Sequence, residues 1–370
     1  MVELSDGQRV SWLRLIRAEN VGPATFRGLI NHFGSAEAAL AALPALARRG
    51  GSAKTIAIPS VAEAEDEIGR TLAHGARIVA ISEPLYPAYL RQIAAPPPLV
   101  SIRGGSPDLF GRPTAAIVGS RNASLAGHKM AERIGRGLGE AGFVVVSGLA
   151  RGIDGAAHRA TLDTGTVAVI AGGIDHVYPE EHGPLIEEIV GRGGAVLSEM
   201  PFGWVPRAKD FPRRNRIVSG MSLGVVVVEA AARSGTLHTA RYALDQGREV
   251  FAVPGSPLDP RAEGTNRLIR DGATLTRSAD DVIAVLRPML EGDAPTYLEL
   301  GESDDVAIPD AVGPQSRAAV LEALGPAPVA VDDIISHTGL TSSVVSVILL
   351  ELDLAGRVER HGNQLVSLLR

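Results

Sequence analysis

The chain has no cysteine. Disulfides and thiolate metal sites are therefore excluded, and nothing in the composition points to an oxidising compartment. Aromatic residues make up only 4%. Val, Ile, Leu and Ala must build the core instead, which suits strands buried on both faces beneath helices. No uninterrupted apolar segment approaches membrane-spanning length, and Met1-Val2-Glu3-Leu4-Ser5-Asp6 lacks the basic, apolar and small-residue order of a leader. The expectation is a cytoplasmic protein with no membrane partner. No glycine is followed by lysine, so the phosphate loop of nucleotide hydrolases is missing as well.

What remains is an ordinary globular composition, 45% hydrophobic and 21% charged over 370 residues, enough for two or three domains. The net charge of −6 argues against a protein that coats nucleic acid indiscriminately. Any polyanion site has to be a local concentration of positive charge.

Residues 1–75 read as a helical domain, with apolar positions at helical spacing in Trp12-Leu13-Arg14-Leu15-Ile16 and a Gly22-Pro23 turn. From residue 76 to 287 short apolar runs alternate with helices at the spacing of a parallel sheet. The strand candidates are Ala115–Gly119, Phe143–Ser147, Val167–Ala171, Ala195–Glu199, Leu223–Glu229 and Val250–Val253. The fold class is α/β, an extended Rossmann-like sheet. Residues 288–314 have the composition of a linker, and 315–370 read as three helices and a terminal hairpin, a winged helix.

Two strand ends carry the chemistry. Gly119-Ser120-Arg121-Asn122 and Ser147-Gly148-Leu149-Ala150-Arg151-Gly152 are small-residue turns, each delivering an arginine, as expected where backbone amides and a guanidinium hold a phosphate. A third segment, Arg207 to Arg216, contains Arg207, Lys209, Arg213, Arg214 and Arg216 against one acid, Asp210, a local net charge of +4. Asn215 adds a polar side chain, Pro212 is suited to a helix start facing an anion, and Phe211 offers a stacking surface. A fourth, Ser234-Gly235-Thr236, opens a helix after a very apolar strand, and its amides and the Thr236 hydroxyl are expected to face the same crevice.

Other features weigh little. Gly137-Leu138-Gly139-Glu140-Ala141-Gly142 matches a dinucleotide fingerprint in letters, but it ends a helix rather than following a strand. His176 and His182, with Asp175, Glu180 and Glu181, have the wrong spacing for a helical metal pair, and Pro179 interrupts them. No metal, cofactor or catalytic residue is assigned.

Taken together, Ile117-Val118-Gly119-Ser120-Arg121, Ser147 to Asp154, Phe211-Pro212-Arg213-Arg214-Asn215-Arg216-Ile217 and Ser234-Gly235-Thr236 resemble the DNA-processing protein A family, also called Smf. The resemblance spans roughly Arg77 to Leu286. It implies a non-enzymatic homodimer that binds single-stranded DNA without strong sequence preference and delivers it to the RecA recombinase in natural transformation. Arg121 and Arg151 would then bind backbone phosphate, Lys209 to Arg216 would form a basic lip, and Phe211 would stack on a base.

A competing reading is a nucleoside-monophosphate phosphoribohydrolase, which shares such a sheet and needs a glutamate in the loop where this chain has Thr239. Glu229, at the end of the preceding strand, is the available substitute. A third is a nucleotide sensor using the same pocket. The C-terminal module is net acidic, with ten Asp/Glu and four Arg from Gly301 to Arg370, and its third helix has no Lys or Arg. A cation-free helix would be repelled by duplex phosphates, so the module is expected to be structural or to contact protein.

Overall fold

The computed structural model describes residues 3–290, 312–361 and 364–369. The helices, in chain order, begin with α1 (Asp6–Arg17), α2 (Pro23–Phe33), α3 (Ala36–Arg49), α4 (Val61–Ala73), α5 (Pro107–Gly111) and α6 (Leu125–Glu140). They continue with α7 (Ile153–Ala160), α8 (Gly183–Gly191), α9 (Asp210–Gly220), α10 (Thr236–Asp245), α11 (Glu263–Arg270) and α12 (Ala279–Leu286). The C-terminal module adds α13 (Pro314–Ala323), α14 (Val331–Thr338) and α15 (Ser342–Leu354).

The main sheet contains β1 (Ala76–Ala80), β2 (Leu99–Gly104), β3 (Thr114–Val118), β4 (Val144–Ser147) and β5 (Thr166–Val169). It is completed by β6 (Ala195–Ser198), β7 (Gly224–Val227), β8 (Glu249–Ala252) and β9 (Thr274–Leu275). Its order is β1-β2-β6-β5-β4-β3-β7-β8-β9. From β6 to β9 the neighbours are parallel, and β2 runs antiparallel to β6. The α/β reading holds, with strands starting and ending within a residue or two of the expected positions. The two-residue β9 is too short to show a period in the sequence.

Every residue of β3 to β7 is buried, as continuous Val/Ile/Ala runs require when helices cover both faces. One apolar cluster joins Ile117, Val145, Val226 and Phe251 to Ile134 and Leu138 of α6 and Val282 and Leu286 of α12. Another joins Ala168, Ile170 and Val196 to Leu185, Ile186 and Ile189 of α8. The fingerprint-like glycines fall where α6 ends, and Gly142 takes a φ of 92° before β4 begins.

A second compact unit combines the N-terminal helices α1–α3 with the C-terminal module. That module is a winged helix, in which β10 (Val329–Ala330), β11 (Val358–His361) and β12 (Leu365–Leu368) form a small antiparallel sheet of order β10-β12-β11. Within this unit α15 packs on α2 and α3. Its Glu351, 1% exposed, is held by Arg49 at 2.8 Å and Arg317 at 2.6 Å. Most of the linker expected at 288–314 lies outside the described residues. Among the described residues no single helix is long and apolar enough to cross a membrane.

Candidate nucleic-acid interface

Parallel pairing of β3 with β4 sets Ala116 opposite Val146, so the turns after both strands emerge together. They then approach so closely that two glycines are required. A Cβ on Gly119 would lie 2.5 Å from Ile153 Cγ1. Gly152 has φ of 73°, and a Cβ there would lie 2.3 Å from the Ser120 carbonyl oxygen. Leu149 also takes a positive φ, 57°, with its side chain fully buried. Such a conformation costs a non-glycine residue about 1–2 kcal/mol, so the surrounding structure must hold it.

It does so in part with groups that the sequence had suggested for phosphate, Ser147, the Gly148 amide and Arg214. Ser147 Oγ donates to the Ile117 carbonyl at 2.6 Å. The amides of Gly148 and Ala150 donate to Asp154 Oδ2 at 3.1 and 3.3 Å. Arg214, 7% exposed, donates from Nη1 to the carbonyls of Gly148 and Val169 and from Nε to Asn215 Oδ1. His182 Nδ1 meets the Leu149 carbonyl at 2.9 Å. Burial raises the Asp154 carboxyl despite Arg214 and the amides, and burial pulls Arg214 down to about 10.

The remaining groups surround a cavity of about 370 Å³ lined by Arg121, Asn122, Gly148, Ala150, Arg151, Tyr178, Pro179, Phe211 and Arg214. Arg121 is exposed, its Cζ lying 5.3 Å from the Phe211 ring centroid. Tyr178, 51% exposed, meets Phe211 edge-on with centroids 5.3 Å apart. The pocket thus offers a cation, Arg121, beside two aromatic rings. Arg151 is exposed but held by Glu181, Nη2 to Oε2 being 2.7 Å. The same hydrogen bonds keep the Glu181 carboxyl below its usual range.

The basic segment resolves into unequal parts. Arg213 and Arg216 both pair with Glu199, which is 7% exposed. Burial alone would raise Glu199, but the two guanidiniums outweigh it and hold the carboxyl below its usual range. Arg216 also donates to the Ala95 carbonyl at 3.0 Å. Lys209 is exposed and, like Arg121 and Arg207, forms no ion pair among the described residues. The local +4 is therefore not all presented to solvent. The helix start expected at Pro212 lies at Asp210, whose buried carboxylate takes the Trp204 Nε1 proton at 2.9 Å and the Arg207 amide at 2.8 Å.

Ser234-Gly235-Thr236 stands outside the pocket lining. The Thr236 amide donates to Ser234 Oγ at 3.2 Å and the Thr236 hydroxyl to the Gly119 carbonyl at 3.0 Å, so this loop fastens the first turn from behind. Asn215 Nδ2 reaches the Gly235 carbonyl at 3.5 Å. Glu229 is committed too, accepting the Ser124 amide at 3.0 Å and the Ser124 hydroxyl at 2.5 Å. It caps α6 instead of facing the pocket. Tyr178 and Pro179 were missed by sequence reasoning. The available signal was an aromatic residue, rare in this chain, in the loop that follows β5 at the same end of the sheet.

Fold and site define a class, a Rossmann-like α/β protein with an arginine- and aromatic-lined pocket beyond the carboxyl ends of its parallel strands. Comparison with known proteins narrows it. The family model described as DNA recombination-mediator protein A matches residues 77–287, the DprA-like N-terminal HHH domain matches 6–69 and the DprA winged helix domain matches 307–364. The chain belongs to the DprA/Smf family. Protein Smf of Synechocystis is 31% identical over 97% of this chain and 98% of its own length. Protein Smf of Escherichia coli is 42% identical over 65% of this chain, an alignment spanning 64% of that relative.

Among solved structures, DNA processing protein A of Streptococcus pneumoniae covers 76% of this chain and 98% of its own, with 34% identity and a TM-score of 0.60. That of Helicobacter pylori, described for its single-stranded DNA binding mode, covers 58% of this chain and 96% of its own, with 26% identity and a TM-score of 0.52.

Proposed function

We propose that this chain binds single-stranded DNA, without strong sequence preference, in the pocket beyond β3 and β4. The observation that carries this reading is the Arg121–Phe211–Tyr178 arrangement, a cation and two aromatic rings around one opening. A phosphate meets the guanidinium while an unstacked base meets a ring, a combination that duplex DNA, with its bases paired, does not offer. Arg121, Asn122 and Arg151 are the phosphate contacts, Phe211 and Tyr178 the base contacts, and Lys209 extends the positive surface. Arg214, Ser147 and Thr236 position the turns.

The protein acts as a cytoplasmic homodimer that hands the strand to the RecA recombinase during transformation, a reading supported by family membership. It works by binding and not as an enzyme. Glu229, the carboxylate a phosphoribohydrolase would need, is engaged by Ser124, and Thr239 stands where the loop glutamate would be.

The test is a gel-shift titration of an oligothymidylate with single-strand, duplex and mononucleotide competitors. Single strands are expected to compete far better than duplex, and mononucleotides hardly at all. Effective competition by a mononucleotide overturns the reading in favour of a nucleotide sensor, and release of free base from it favours the hydrolase. Static light scattering and RecA loading onto single strands check the dimer and the hand-over.

A further inference from the structure

The loop between β6 and α9 holds a second cation and ring that no role has yet absorbed. Arg207 is exposed, and its guanidinium carbon lies 4.7 Å from the centroid of the Trp204 ring. Among the described residues it makes no ion pair, unlike Arg151, Arg213 and Arg216. Its backbone is pinned, since the Arg207 amide donates to Asp210 Oδ2. The same oxygen takes the Trp204 Nε1 proton, which fixes the ring beneath the guanidinium.

The loop is anchored on its other side as well. The Trp204 carbonyl accepts the Gly173 amide at 2.8 Å, and the Gly203 amide donates to Asp175 Oδ1 at 2.8 Å. A Cβ on Gly172 would sit 3.0 Å from both Pro206 and the Trp204 carbonyl, so the two loops lie in contact. Asp210 immediately precedes Phe211 of the pocket, and the loop from Gly172 leads directly to Tyr178. The scaffold that holds the Trp204–Arg207 pair is therefore continuous along the chain with both aromatic residues of the pocket.

We propose that Arg207, held over Trp204, is a second contact for the single strand, taking a backbone phosphate outside the Arg121–Phe211 pocket. This rests on the single-strand reading above and extends it to residues outside the pocket lining. Arg207 is the contact and Trp204 the positioning residue. A guanidinium already fixed in place loses little side-chain freedom on meeting a phosphate, which is the advantage of ordering it in the free protein. Leaving it fixed, exposed and without a carboxylate partner has no evident structural use.

The test uses the full chain, an oligothymidylate long enough to cover the lip, and a salt series. Arg207→Ala is expected to weaken binding about tenfold, the size of one charge-assisted contact, and to reduce the slope of log K against log salt by about 0.7, one phosphate on a single strand. Trp204→Leu should weaken binding, and the double variant should bind no worse than Arg207→Ala alone, because the tryptophan acts through the arginine. The chain has two tryptophans, and Trp12 is fully buried in the other unit, so emission changes on binding report Trp204.

If Arg207→Ala keeps the wild-type affinity and slope, or Trp204 emission is unmoved at saturation, while Arg121→Ala loses binding, this contact is overturned and the pocket reading stands. If the wild-type protein fails to bind single strands, both fall.

Discussion

Arginine is the residue type on which this site turns, and its copies have different work. Arg121 is exposed beside Phe211, Arg214 is buried against two carbonyls, and Arg213 and Arg216 share Glu199. Arg121→Ala removes the solvent-facing guanidinium proposed to hold a phosphate, without disturbing the core. Affinity for single strands should fall about tenfold, with a shallower salt dependence. Unchanged affinity and slope in a salt-series titration would refute the role given to Arg121. Arg151 differs because Glu181 competes for its guanidinium, and both side chains are exposed, at 60% and 51%. An exposed pair of this kind holds weakly. Glu181→Gln should therefore tighten single-strand binding a fewfold at low salt, with the gain fading as salt rises; weaker binding by that variant would show that Glu181 serves the site.

At the scale of elements, the turn after β4 and the helix α7 form one hydrogen-bonded assembly. Asp154 on α7 holds two amides of the turn, and Arg214 on α9 holds its Gly148 carbonyl. Beneath them His158 is fully buried, with Nδ1 2.7 Å from Thr166 Oγ1 and Nε2 without a partner. The Thr166 hydroxyl donates to the Val145 carbonyl, so it accepts from His158, and protonation has to occur at Nε2. Burial, reinforced by the nearby His182, Arg214 and Arg159, lowers His158 from 6.5 to about 3.

The unfolded chain consequently takes up this proton first. The histidine's contribution to stability is complete above about pH 6.5 and is lost as the pH falls toward about 3, at up to ~1.4 kcal/mol per pH unit. Asp154, raised by burial, contributes with the opposite sign. Urea midpoints measured across this range in wild type and His158→Gln separate the two. The variant should show a flatter acid limb, and an identical limb would remove His158 from the account.

The same scale shows what patterning makes legible. Continuous Val/Ile/Ala runs announce the parallel strands. Glycine at 119 and 152 marks the close turns. Tyr178 escaped because nothing local to Val177-Tyr178-Pro179 indicates a neighbour on α9. The amides of Gly148 and Ala150 were expected to be available because a sequence does not show that Asp154 folds back onto them.

For the whole molecule, the winged helix carries the clearest consequence. The position of a DNA-reading helix is taken by α15, which has no Lys or Arg and packs on α2 and α3, its buried Glu351 paired with Arg49 of α3 and Arg317 of α13. Gly50 lies at this contact, and a Cβ there would come within 1.9 Å of the Glu351 carbonyl oxygen, although its φ of −69° suits any residue. Gly50→Ala should therefore separate α3 from α15 without straining its own backbone, at a cost of about 1–3 kcal/mol. Calorimetry and protease sensitivity of the N-terminal helices report this. An unshifted transition would mean that the two elements are energetically independent. Single-strand binding by the sheet unit should be preserved.

Composition, periodicity and motif order by themselves determine a Rossmann-like sheet with a helical segment before it and a winged helix after it, and they place the arginine-bearing turns at one end of that sheet. These properties are local, set by residues a few positions apart. Which charges face solvent was decided only by the tertiary structure. Arg213, Arg216 and Glu199, or Phe211 and Tyr178, meet because separate strands end side by side, and burial and ion pairing depend on such neighbours and not on order along the chain. A basic run of net +4 thereby becomes two arginines sharing one carboxylate, one buried support, and the exposed Lys209 and Arg207, while Arg121 reaches Phe211 from the turn after β3.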